Sequence, residues 1–324
     1  MKSNNSNMQP LVLIADEMHP SLLPMLSTIG LEGHYRPLIN RSEMCAILGD
    51  YAGLVIRSKT KVDETLLQFG TQLRFVARAG AGLDLVDAAA VQRRNIKLFQ
   101  ANAGNCDTVA EHAVALLLAL LTNLVRADRQ VRQKIWDREA NRGFELMHKT
   151  VGIIGYGHNG QATAKRLSGF GCRVLCFDKY RDDYADAYAQ AVSMPQIMAQ
   201  ADVISLHVPL NDDTRQLVND RFIDSATKPF YLLNCARGEI VELEALVRGL
   251  ENGKIRGAGL DVLENEKLGT LTPTQGAAFG YLCASDNVLL TPHVAGWSHE
   301  SYQRINQVLV AQIAASVTNR PFAV

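Results

Sequence analysis

Short, almost wholly apolar runs alternate with stretches that carry apolar residues at helical spacing along the 324-residue chain. A run that is apolar throughout, rather than at every second position, marks a strand buried on both faces. A succession of such runs separated by helices predicts an α/β architecture with parallel sheets. Leu11–Ala15, Gly53–Ile56 and Leu73–Ala77 are predicted strands, with helical spacing over Val62–Phe69. After Gly143 the pattern restarts. Strands Thr150–Ile154 and Arg173–Phe177 flank a helix over Gln161–Phe170, and further strands follow at Val203–Leu206, Phe230–Leu233, Gly257–Val262 and Val288–Thr291.

Between the two series one long helix is predicted, from about Asp107-Thr108 to about Lys134, with Thr108 and Glu111 spaced as a capping box. At the other end of the chain, Glu300–Val317 places Ile305, Val308, Leu309, Ile313 and Val317 at helical intervals. No internal repeat or low-complexity segment interrupts the pattern.

Composition adds mostly exclusions. Thirty-three basic residues balance thirty-three acidic ones, so no global field recruits nucleic acid or an anionic membrane. The longest apolar run, Ala113–Leu121, is too short to cross a bilayer. The run at Leu11–Ala15 ends on Asp16-Glu17, too early for a signal-peptide core, and a cytoplasmic enzyme is the expectation. The six cysteines are scattered without paired spacing, so they read as reduced apolar fillers and no metal site is expected.

Gly155-Tyr156-Gly157-His158-Asn159-Gly160 follows a predicted strand and opens a predicted helix, the context that a dinucleotide loop requires. Gly155 permits the tight turn, Gly157 lets backbone approach a pyrophosphate, and Gly160 lets helix and strand pack closely. The helix N-terminus offers unpaired N–H groups to the phosphates. Asp178 closes the next strand, where a carboxylate accepts hydrogen bonds from the adenosine ribose and repels a 2′-phosphate, favouring NAD over NADP.

Three segments at the C-terminal ends of predicted strands carry unusual polar residues: Asn234–Gly238, Asp261–Glu266 and Thr291–Gly296. Strand C-termini are where ligands bind in open α/β sheets. Hydride transfer from an alcohol needs a base for the hydroxyl proton and a cation for a substrate carboxylate. His293 and Arg237 supply these, with Glu266 to orient the imidazole.

With these motifs in place the chain resembles the D-isomer-specific 2-hydroxyacid dehydrogenase family, and within it the phosphoglycerate dehydrogenase branch. Matching runs include Val55–Thr60, Arg78–Asp84, Asn105 with Thr108–Glu111, the glycine loop, Asp202–Pro209 and the three polar segments. Lys267 stands where the family often has proline, and Asn159 where an apolar residue is usual. The resemblance implies that Arg237, Glu266 and His293 act together, with His293 as general acid/base. It also implies cofactor contacts from His207, Val208 and Pro209, from Thr214, from Cys235 and Ala236, and from Asp261 and Gly296. Substrate contacts are implied for Arg57, Ser58, Arg78 and Asn105, with the N–H groups of Ala79, Gly80 and Ala81 as a small anion nest.

The implied fold is a Rossmann-type NAD-binding domain, residues 105–293, inserted into a smaller flavodoxin-like parallel α/β substrate domain, residues 1–104 and 294–324. The implied assembly is a homodimer through the long helix and the Trp136–Leu146 segment. Arg57 and Arg78 favour a phosphorylated D-2-hydroxy acid, namely 3-phosphoglycerate, with glyoxylate or hydroxypyruvate reduction as the alternative. The chain ends about thirty residues after His293, too soon for an added regulatory domain. Corepressors that share this fold and work as NAD-sensing scaffolds leave binding without turnover as an alternative of another class.

Overall fold

The computed structural model describes residues 9–318 and divides into two compact units, Met1–Asn105 with Ser298–Val324, and Cys106–Trp297. The first unit is built on a five-stranded sheet of β1 (Leu11–Ile14), β2 (Glu32–Tyr35), β3 (Gly53–Ile56), β4 (Phe75–Arg78) and β5 (Lys97–Gln100). All pairings are parallel, in the order β2-β1-β3-β4-β5, which is the flavodoxin-like order. The central β3 is buried at every position. The helix His299–Thr318 returns to this unit and sets Ile305, Leu309, Val310 and Ile313 against Val12, Ile14, Phe75 and Ala77. The Val317 side chain, predicted on the same face, lies outside the described residues.

The second unit carries a seven-stranded parallel sheet: β6 (Thr150–Ile154), β7 (Arg173–Phe177), β8 (Gln190–Ala191), β9 (Val203–Leu206), β10 (Phe230–Asn234), β11 (Ile255–Leu260) and β12 (Val288–Leu290). Its order is β12-β11-β10-β9-β6-β7-β8. The chain runs outward from β6 in one direction, then restarts at β9 on the other side. The crevice where the order reverses lies beyond the ends of β6 and β9, the usual ligand position in such a sheet. Core clusters fill both faces, which is why β9 and β10 are apolar nearly throughout.

The single long helix expected over residues 107–134 is instead two, Cys106–Leu121 and Leu124–Arg132, bent by 62°. Asn123 adopts the left-handed conformation, with φ at +54°, and asparagine is among the few residues that tolerate it. The expected capping box is also absent. The first helix starts at Cys106, ahead of Thr108, and Glu111 pairs with Arg166 at 3.0 Å. Among the described residues no single helix is long and apolar enough to cross a membrane.

Candidate active site

The glycine loop joins β6 to the helix His158–Leu167. Gly155 has φ at +93°, and a Cβ there would stand 2.6 Å from the His207 carbonyl carbon at the end of β9. Gly160 packs so tightly that a Cβ would meet the Gly155 carbonyl oxygen at 2.2 Å. At Gly157 nothing lies within 4 Å of a Cβ position, so the space over the helix N-terminus is open to a ligand. Asn159 lies in the first turn of this helix; its carbonyl accepts from the Thr163 hydroxyl at 2.8 Å, and its side-chain Oδ1 is buried with no hydrogen-bond partner. His158 is exposed at the helix start.

Beside the loop lies a cavity of about 350 Å³ lined by Gly155, Gly157, Asp178, His207, Val208, Pro209 and Thr214, together with Lys179, Tyr180 and Asp213. His207 is half-buried in the wall of this cavity. Its Nε2 sits 2.8 Å from the Ser205 hydroxyl, and its Nδ1 has no hydrogen-bond partner. Burial pushes this imidazole down to about 4, so it is neutral near pH 7. An open glycine cradle at a helix N-terminus, an orphaned polar atom and a carboxylate at the strand end together suit a dinucleotide. The pyrophosphate would lie over Gly157, with the adenosine toward Asp178.

Asp178 does more than face that cavity. Its Oδ2 accepts from the Tyr156 N–H at 2.9 Å and its Oδ1 from the Tyr180 N–H at 3.0 Å, fastening the glycine loop to the end of β7. Tyr156, expected at the cofactor, is turned into the core instead. Its ring is fully buried and its hydroxyl donates to Asp186 at 2.8 Å. That hydroxyl pairs because an unpartnered buried O–H is costly.

Arg237, Glu266 and His293 follow β10, β11 and β12, three adjacent strands of one sheet. His293 Nδ1 lies 2.9 and 3.0 Å from the two Glu266 oxygens. Facing a carboxylate, Nδ1 is the ring nitrogen suited to donate, an arrangement that points Nε2 away from Glu266. Lys267 in the family's proline position does not disturb this pair; its N–H donates to Asn265 Oδ1 at 3.0 Å. Arg237 is half-buried and donates from Nη1 to the Ala236 carbonyl at 2.6 Å.

His293 has φ at +56°, uncommon for a side chain of this size. Asp261 explains how it is held. Its carbonyl accepts the His293 N–H at 2.8 Å. Its carboxylate accepts from the Thr291 hydroxyl (2.6 Å), the Val294 N–H (2.9 Å) and the Ala295 N–H (2.8 Å). Asp261 was expected at the cofactor, and both its oxygens are engaged by the segment that bears His293. His112 adds to this network, with Nε2 3.0 Å from the Thr291 hydroxyl. Cys235 and Ala236 are buried at the end of β10, where burial keeps the Cys235 thiol protonated.

The residues expected to hold substrate lie in the first unit. The loop after β3, Arg57 to Thr60, is gathered around the buried Asp16. This carboxylate accepts N–H groups of Arg57 (2.6 Å) and Lys59 (3.0 Å) and the Thr60 hydroxyl (2.5 Å). The Arg57 guanidinium lies 5.0 Å from the centre of the Tyr302 ring, and Ser58 is exposed beside it. Asn105 has a buried Oδ1 with no partner. The anion nest expected over Ala79, Gly80 and Ala81 needs correction: the Ala79 N–H extends the β3–β4 ladder by donating to the Ile56 carbonyl at 2.8 Å, and the Gly80 N–H donates to the Arg78 carbonyl at 3.0 Å. Gly80, with φ at +147°, carries the turn, and Arg78 folds closely over it.

Sequence reasoning did not find Asp16, Asp213 or the His112–Thr291 contact. Each pairs residues far apart in the chain without a local motif.

The chain is similar to known proteins over most of its length. Residues 114–295 match the family described as D-isomer specific 2-hydroxyacid dehydrogenase, NAD binding domain. A hydroxypyruvate reductase of Thermotoga maritima is 34% identical over 85% of this chain and 88% of its own. A D-3-phosphoglycerate dehydrogenase of Archaeoglobus fulgidus is 31% identical over 96% of this chain, which spans only 58% of that protein. The structure of a D-lactate dehydrogenase from Aquifex aeolicus, complexed with NAD and lactic acid, superimposes with a TM-score of 0.80 at 27% identity, covering 95% of this chain and 96% of that one. The chain belongs to the D-isomer-specific 2-hydroxyacid dehydrogenases, NAD-dependent oxidoreductases that act on a CH–OH group.

Proposed function

We propose that this dehydrogenase interconverts D-3-phosphoglycerate and 3-phosphohydroxypyruvate, the oxidation that opens serine biosynthesis. The observation that carries the catalytic reading is the His293–Glu266 pair at 2.9 Å, on the same sheet edge as Arg237. When bound, the nicotinamide donates or accepts the hydride at the substrate's C2. His293 Nε2 exchanges a proton with the C2 oxygen, a role worth about 10²–10⁴-fold. Glu266 fixes the ring and balances the imidazolium charge. Arg237 offers a planar fork to the substrate carboxylate and polarises the carbonyl.

The phosphorylated substrate rests on Arg57. Asp16 pins its backbone and Tyr302 backs its guanidinium, so the cation is pre-organised. Hydroxypyruvate reduction is a second reading, favoured by the near full-length match to the Thermotoga maritima protein. A panel of 2-keto acids assayed by NADH absorbance separates them. The first reading expects 3-phosphohydroxypyruvate to give the highest kcat/KM, and Arg57→Met to erase that advantage. A higher kcat/KM for unphosphorylated hydroxypyruvate would replace it with the second.

The active form is proposed to be a homodimer. Leu124, Val125 and Val131 on the second of the two bent helices, with Ile135 and Trp136 beyond it, are all more than two-fifths exposed. An apolar patch of this kind suits a second copy of the chain. Light scattering on the eluted protein gives its mass directly.

A further inference from the structure

Asp178 is followed at once by Lys179, and three residues on by Arg181. Beside an adenosine ribose such cations are what hold a 2′-phosphate. The structure shows where both go. Lys179 Nζ lies 2.8 Å from Asp213 Oδ2, and the Tyr180 hydroxyl donates to the same oxygen at 2.7 Å. Arg181 donates from Nη1 to the Tyr156 carbonyl at 2.6 Å.

Asp213 comes from the turn after β9, and that turn is well braced. Asn211 Oδ1 accepts the Asp213 and Thr214 N–H groups at 3.0 and 3.1 Å, and the Thr214 hydroxyl donates to the Pro209 carbonyl at 2.6 Å. Asp213 is therefore presented on a fixed support. Lys179, Tyr180 and Asp213 line the same cavity as Asp178 and Gly155. The contact forms a strap from the end of β7 to the turn after β9, the two strands that flank β6 and its glycine loop.

We propose that Asp213 sets cofactor selectivity: by pairing with Lys179 it cancels the ammonium nearest the ribose carboxylate, so a 2′-phosphate meets two carboxylates and no available lysine. The contact shifts both partners in the direction this requires. The hydrogen bond to Asp213 raises the Lys179 ammonium above its usual value, and Lys179 with Tyr180 lowers the Asp213 carboxyl below its own. NAD itself gains nothing from the lysine, since its ribose offers hydroxyls that Asp178 accepts. Asp213 is thus a positioning residue that acts through Lys179.

Direct nucleotide binding tests the proposal, with NADH, NADPH and the fragments 5′-AMP and 2′,5′-ADP titrated by calorimetry. Asp213→Ala is expected to lower the ratio of NADPH to NADH dissociation constants about tenfold, the worth of one charge-assisted hydrogen bond. Asp213→Asn, which keeps the shape of the turn, should move the ratio the same way. Adding Lys179→Ala to either variant should return the ratio to its starting value. The preference for 2′,5′-ADP over 5′-AMP should rise and fall in step.

Three results would overturn the proposal. The ratio could stay fixed while both nucleotides weaken alike, which is what a merely structural role for Asp213 produces. The ratio could fail to move at all in both single variants. Or the gain could survive Lys179→Ala and vanish with Arg181→Ala, which would assign the 2′-phosphate contact to the arginine.

Discussion

Asp261→Asn is the sharpest perturbation of the His293 segment. The carboxylate is 1% exposed, and each of its oxygens accepts a backbone N–H, that of Val294 at 2.9 Å and that of Ala295 at 2.8 Å. An asparagine offers one acceptor and one donor. Whichever way its amide turns, the NH₂ group faces one of these N–H groups, and flipping cannot relieve the conflict. The Thr291 hydroxyl can rotate, but a main-chain N–H cannot. Leaving one shielded donor unpaired costs about 1–3 kcal/mol, and the surviving bonds lose their charge assistance. The total is about 3 kcal/mol. For a unit of this size that lowers Tm by roughly 6–12 °C. Turnover should suffer as well, because Asp261 also holds the His293 N–H at φ +56°. A small displacement of a catalytic group costs on the order of 10²-fold in rate. Scanning calorimetry and NADH oxidation on the same preparation measure both. A melting point within about 2 °C of the unmodified protein, with kcat within about twofold, would refute the reasoning.

Three further outcomes are expected. His293→Ala should lower kcat by about 10²–10⁴-fold while NADH still binds; unchanged turnover would remove His293 from its role. Glu266→Gln should lower kcat by about tenfold or more, because a neutral amide no longer balances the imidazolium and can present its NH₂ to Nδ1. Its KM for NADH should stay near that of the unmodified enzyme, so a change confined to that KM would count against the pairing. Asp16→Asn concerns acid stability. Burial pushes the Asp16 carboxyl up, but the Thr60 hydroxyl and the N–H groups of Arg57, Lys59 and Thr60 outweigh it and hold it below its ordinary value of 3.8. A depressed carboxyl stabilises the fold above the unfolded value and loses that contribution as pH falls through the folded one. The stability gap between the unmodified protein and Asp16→Asn, followed by circular dichroism, should be full near pH 6 and shrink below about pH 4. A gap independent of pH would show that Asp16 acts through shape alone.

What could be read from the sequence follows burial. β3, β6, β7 and β9 coincide with the apolar runs that predicted them, because strands covered on both faces must be apolar throughout. The edge strands β2, β5 and β8 escaped notice, and Lys97–Gln100 of β5 is only partly buried. Glu32–Tyr35 is nowhere fully buried, and Gln190–Ala191 is exposed, so none of the three needs an apolar signal. The break at Asn123 was hidden by strong helix formers on both sides, since one left-handed residue leaves no periodic trace. At the site, the His293–Glu266 pair was legible because both residues follow strand ends in a recognisable order. The Lys179–Asp213 strap and the Asp16 cluster were not, because the acceptor lies tens of residues from its donors and only the sheet order brings them together.

The two units solve one problem in the same way. A functional loop at the end of a parallel strand has no ladder of its own, yet its side chains must be held to a fraction of an ångström. In the first unit Asp16, just beyond β1, gathers the loop after the neighbouring β3, taking two main-chain N–H groups and the Thr60 hydroxyl at short range. In the second, Asp261, just beyond β11, gathers the segment after the neighbouring β12, again with two N–H groups and a threonine hydroxyl. Each carboxylate is at least 98% shielded from solvent, and each replaces the hydrogen bonds that a continuing strand would have made. In the proposed function the loops they fix serve different ends, since one carries Arg57 and the other His293. Asp16→Asn should therefore act mainly on substrate KM, and Asp261→Asn mainly on kcat. Measuring both constants in both variants tests the assignment, because a shared loss of stability alone would lower active enzyme without separating the two.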